Sequence, residues 1–66
     1  MKRYWVRKNT YEKGIVADYG FYSNYDDVKC IVKGWKLDKE LKDLFDMTCY
    51  TRKNSKIYYE VIEMDY

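Results

Sequence analysis

Apolar and polar positions along the chain change period twice, from two to helical and back to two. Residues 2–8 (KRYWVRK) alternate, with Tyr4, Val6 and Lys8 on one face and Arg3, Trp5 and Arg7 on the other. Aromatic and β-branched residues in that alternation predict a strand. Residues 9–14 are polar and end in Gly14, as a turn does. Alternation resumes over 15–22, where Ile15, Ala17, Tyr19 and Phe21 are expected to face the core and Val16, Asp18, Gly20 and Tyr22 to face away. The two runs predict an antiparallel hairpin.

The period then becomes helical. Ser23 and Asn24 are both good capping residues, and Asp26 or Asp27 follows three positions after one or the other. A carboxylate there suits both the capping amide and the positive end of the helix dipole. At about 100° per residue, Val28, Ile31, Val32 and Trp35 share an arc with Tyr25 at its edge, while Lys29, Lys33 and Lys36 form a basic flank. The pattern predicts a helix over about 24–33 that stops at Gly34. Asp38 then caps a second short helix whose apolar face is Leu37, Leu41, Leu44 and Phe45.

From Met47 the period returns to two. Residues 47–52 and 57–64 read as strands joined by the polar turn 53–56, KNSK. In the last strand Ile57, Tyr59 and Val61 compete with Tyr58, Ile62 and Met64 for the inner face. The order is β-β-α-α-β-β in a single domain over 1–66. The fold class is α+β, an antiparallel sheet with two short helices on one face.

Composition changes this picture in two ways. The 66 residues include nine Tyr and two Trp but few aliphatics, so rings must serve as core and several Tyr tips must reach solvent. Tyr11, Tyr22, Tyr50, Tyr58 and Tyr66 are the candidates for exposed rings. Histidine is absent, which removes the commonest general base and the commonest transition-metal ligand together. Cys30 and Cys49 are expected to be reduced thiols packed as small hydrophobes, a bridge between them being the alternative. There is no nucleophile–base pair, phosphate loop or metal cluster, and Asp26 and Asp27 are accounted for by the helix N-terminus. No catalytic residue, cofactor or metal is assigned, and binding is the expected activity.

Charge is nearly balanced, 13 basic against 11 acidic residues. Basic groups collect at Lys2, Arg3, Arg7, Lys8 and Lys13, on the helix flank, and at Arg52, Lys53 and Lys56. Interleaved with Tyr and Trp, such a surface suits nucleic acid, with Tyr4, Trp5, Tyr25, Lys29, Lys33 and Lys36 as the contacts. Tyr, Trp and Arg are equally the residues that anchor protein interfaces. A protein partner is therefore the first expectation and a nucleic acid the second, with a homodimer through an edge strand as a third arrangement. The N-terminal MKRYWVRKN has no apolar leader region and no apolar run approaches a bilayer span, so a cytoplasmic protein without a membrane partner is expected.

One stretch resembles a known family. GFYSNYDDVKCIVKGW, residues 20–35, resembles the start of the helix in the hybrid-binding domain of ribonuclease H and of caulimovirus viroplasmin. That family shows a Gly, an aliphatic–aromatic pair and a Ser/Thr–Trp before an acidic residue, then a helix ending in Val-x-Gly-aromatic. Gly20, Phe21, Tyr22, Asn24, Asp27, Val32, Gly34 and Trp35 fall in that order, with Tyr25 in the place of Trp. RYWV at 3–6 looks like the family's first strand. The resemblance implies binding of RNA–DNA hybrid or double-stranded RNA. The chain departs from the family in the long spacing before Gly20 and in KLDKELKDLF, which stands where a lysine-bearing third strand belongs. In composition (short, rich in Lys and Tyr, free of Pro) the chain also resembles small accessory proteins of bacteriophages. That likeness implies an inhibitor docking on a host enzyme or defence nucleoprotein complex.

Overall fold

The computed structural model describes residues 1–65. Five strands form one antiparallel sheet, and its two hairpins are those the alternation predicts. β1 (Lys2–Thr10) and β2 (Gly14–Tyr22) make the first, and β4 (Thr48–Thr51) and β5 (Ile57–Asp65) the second. Between them lie α1 (Tyr25–Ile31), the two-residue β3 (Lys36–Leu37) and α2 (Lys39–Phe45). The sheet order is β2-β1-β5-β4-β3, so the first and last long strands are neighbours at its centre. β1 and β5 pair along nine positions, from Lys2 opposite Asp65 to Thr10 opposite Ile57. β3 is absent from the sequence reading because Lys36 and Leu37 are too few to show a period; they form a strand only because Thr51 and Tyr50 lie opposite.

Both helices start where their capping residues dictate. The Asn24 side chain accepts from the Asp26 amide at 3.0 Å, and Asp38 accepts from the Leu41 amide at 3.1 Å. α1 lays Val28 on the sheet against Val6 and Val61, and these three form the core cluster. Val28 and Val6 are fully buried. Tyr4, Tyr22, Tyr25, Ile31, Tyr50 and Tyr59 close around them, so rings do substitute for missing aliphatics. α2 packs only against β4 and buries no residue completely.

In β2 the expected faces hold at Ala17, Asp18 and Tyr19 but are reversed at both ends of the strand. Val6 stands opposite Gly20 and Tyr4 opposite Tyr22, so Gly20 and Tyr22 lie on the α1 side. Phe21 and Ile15 point the other way and are 51% and 53% exposed. Two register shifts are the physical reason that no single alternation holds: pairing skips Tyr19, then Val16. Gly20 accommodates the first with φ +83, a conformation an L side chain rarely adopts. In β5 the open question closes in favour of Tyr59 and Val61 on the α1 side. Cys49 is wholly buried as expected, but Cys30 is exposed, because on α1 it falls outside the arc of Val28 and Ile31; both thiols are free.

Candidate interaction surfaces

The six residues singled out from the sequence divide into three groups. Tyr4 and Tyr25 meet edge to face, ring centroids 4.9 Å apart, on the α1 side of the sheet. The Tyr25 hydroxyl hydrogen-bonds that of Tyr50, and burial followed by this bond pushes the Tyr25 phenol well above its ordinary value. Tyr25 is thus a wall of the core rather than an exposed ring. Among the other expected surface rings, Tyr11 is exposed whereas Tyr22, Tyr50 and Tyr58 are half-buried; Tyr66 lies outside the described residues.

Trp5 lies on the opposite face, since neighbours on a strand point to opposite sides. Its ring stacks on Phe21 at 5.5 Å and its indole N–H donates to Asp18 at 2.8 Å. The Arg7 guanidinium sits 4.5 Å from the Trp5 ring centroid and pairs with Glu60. Register converts these contacts into rows across the face opposite α1, where Cys49 and Asn9 are buried and Phe21 and Ile15 stand exposed. Phe21, Trp5 and Ile62 form one row; Asp18, Arg7, Glu60 and Cys49 the next; Ile15, Asn9 and Tyr58 a third. The middle row is charged but satisfied, apart from the buried Arg7 Nε, which has no partner among the described residues. The indole donor, then the Gly20 amide, hold the Asp18 carboxyl below its ordinary value.

Lys29, Lys33 and Lys36 are exposed, and none is ion-paired among the described residues. The structure brings Lys33 and Lys36 beside Arg52 and Lys53, because β3 pairs with β4 and the Arg52 guanidinium lies 4.9 Å from the Trp35 ring centroid. The basic residues of β1 lie across the sheet, with β5 and β4 between, so the single basic surface expected from the sequence splits in two.

A third exposed group belongs to α2, where Leu44 and Phe45 are 67% and 65% exposed and only Leu41 of the expected apolar face is half-buried. Sequence pattern marked that stripe as core; four-residue β4 is too short to cover it. The clefts are shallow, the larger about 260 Å³ between α2 and β5 beside Lys42, Met47 and Glu60. Among the described residues no group of three His, Cys, Asp or Glu is placed to hold a metal ion. No helix there is long and apolar enough to cross a membrane. No family model, curated relative or solved structure matches the chain.

Proposed function

We propose that this chain is a non-catalytic docking protein that engages a larger protein through the sheet face opposite α1. The observation that carries this reading is the row Phe21–Trp5–Ile62, with Ile15 and Arg7 beside it on the same face. Phe21 is 51% exposed although it is large and apolar, and its stacking partner Trp5 is fixed by Asp18. A ring held in place before binding loses little freedom on contact, which favours aromatic anchors in interfaces. Trp, Arg, Tyr and Phe are the types enriched at such contacts.

A docking domain of this size acts by occupying a surface. The specific form of the reading is an inhibitor carried by a phage or mobile element, acting in the host cytoplasm on an enzyme or defence nucleoprotein complex. The likeness in composition to phage accessory proteins supports that form. The test is affinity capture from host lysate with the tagged chain, beside Phe21→Lys and Ile15→Lys. Both side chains are half-exposed, so the variants keep the fold, as circular dichroism checks. The captured protein, once purified, should bind each variant at least about tenfold more weakly by calorimetry, the loss of one anchor contact. Equal affinity for the variants, or no specific capture, overturns the reading.

A further inference from the structure

The corner where the end of α1 meets the β4–β5 turn carries a second surface, with different chemistry. Arg52 is held there from two sides. Its guanidinium carbon lies 4.9 Å from the centroid of Trp35, which is itself edge-on to Tyr59 at 5.0 Å. On the other side is Gly34, at φ +84, where a Cβ would come within 3.0 Å of Arg52 Nη2. The glycine allows the guanidinium to lie against the backbone. Lys33 adjoins Gly34, Lys53 adjoins Arg52, and Lys36 stands opposite Thr51 in the β3–β4 ladder.

No carboxylate interrupts this cluster. Residues 29–36 and 52–56 contain Lys29, Lys33, Lys36, Arg52, Lys53 and Lys56 and no Asp or Glu. The chain's net charge is only +2, so everything outside these two segments sums to a negative charge. The remaining basic residues are offset by the eleven carboxylates, all of which lie outside these two segments.

We infer that this corner binds the phosphodiester backbone of a nucleic acid, through Arg52 held on Trp35 and through Lys33, Lys36 and Lys53 on the segments that flank the pair. Charge complementarity selects a polyanion. A guanidinium packed on a ring keeps its N–H fork for the paired oxygens of a phosphate, and the lysines add mobile point charges. A protein partner with acidic side chains fits less well, because protein interfaces centre on apolar contact and the corner's own segments, 33–37 and 52–56, expose one large apolar residue, Leu37. Bases are not read. Arg52 covers one face of Trp35 and Tyr59 meets the ring, so contact is to the backbone and independent of sequence. The corner shares no residue with the Trp5–Phe21 face, and either surface can fail without the other.

Fluorescence anisotropy with a labelled oligothymidylate, repeated with a duplex of random sequence and across a salt series, tests the inference. Four phosphate contacts predict a log–log slope of about −3 on the single strand. Lys36→Glu should weaken binding by about tenfold and flatten the slope, whereas Lys2→Glu, the same change in net charge at the other end of the sheet, where Lys2 stands opposite Asp65, should leave both nearly unchanged. Arg52→Lys keeps the charge but loses the fork, and should bind detectably more weakly than the parent. Circular dichroism of each variant confirms the fold. Absence of binding at low salt overturns the inference, as does equal weakening by Lys36→Glu and Lys2→Glu. So does an oligoglutamate peptide that binds as tightly as the oligonucleotide, which would point to an acidic protein instead.

Discussion

Trp5 and Asp18 are joined across the first hairpin by an indole N–H bond of 2.8 Å, and the same carboxylate oxygen accepts the Gly20 amide at 2.8 Å. One oxygen thus ties β1 to the bulge in β2. Both donors favour the ionised form, so the Asp18 carboxyl should titrate below 3.8, its ordinary value, in an NMR pH series. Because the folded-state value is the lower one, the stabilisation is present above the unfolded value and is lost as pH falls through the folded one. Asp18→Ala should remove that part of the acid sensitivity and shift the Trp5 emission.

The contact between α1 and the sheet rests on small aliphatic residues with no exposed surface. Val28→Ala removes two buried methyl groups over Val6 and Val61, at a cost of about 2 kcal/mol once the cavity is included. In a domain of this length that lowers Tm by roughly 10 °C or more, measured by thermal melts. Leu44→Ala, at a position 67% exposed, should shift Tm by no more than a few degrees.

Tyr25 and Tyr50 share a hydrogen bond at the core margin. Replacing either one by Phe leaves the other hydroxyl short of its partner and costs about 1 kcal/mol, whereas the double replacement should recover part of the loss. Denaturant titrations of the four proteins measure the coupling. The phenols of Tyr25, Tyr58 and Tyr59 are all raised, chiefly by burial. A raised value in the fold means that stability is full below the unfolded value near 10 and declines as pH climbs above it. Absorbance of tyrosinate should accordingly show late-titrating rings that ionise with unfolding.

The two thiols should differ sharply in reactivity. Cys30 is exposed, while Cys49 is wholly buried and its thiol is pushed up to about 11, mainly by that burial and then by Glu60. Since the thiolate is the reactive form, a disulfide reagent should label one cysteine of the native protein quickly and the second only in denaturant.

How much could be read in advance depended on how local the cause was. Asn24 and Asp38 act within one turn of their own helices, and both caps were legible, as was the apolar arc of Val28, Ile31 and Val32. The faces of β2 were not, because the skipped residues Tyr19 and Val16 are defined only against β1. Leu44 and Phe45 looked like core because period reports which residues share a face, not whether another element covers it. The same holds for the candidate surfaces. Lys33 and Lys36 were visible as a stripe, but their meeting with Arg52 depends on the pairing of β3 with β4. The opposition of Trp5 to Tyr4 was legible from the alternation of β1, whereas the meeting of Tyr25 with Tyr4 depends on how α1 packs on the sheet.

The outer edge of β2 is nine residues long and carries no proline, which makes it the natural point for another strand to add. The two bulges interrupt it. Pairing stays in step over at most three consecutive positions, Gly20 to Tyr22, and over only Ala17 and Asp18 between the bulges. An incoming strand would have to step out of register twice, so the same bulges that re-aim Phe21 also work against strand addition along that border, where Ile15, Val16 and Phe21 stand exposed.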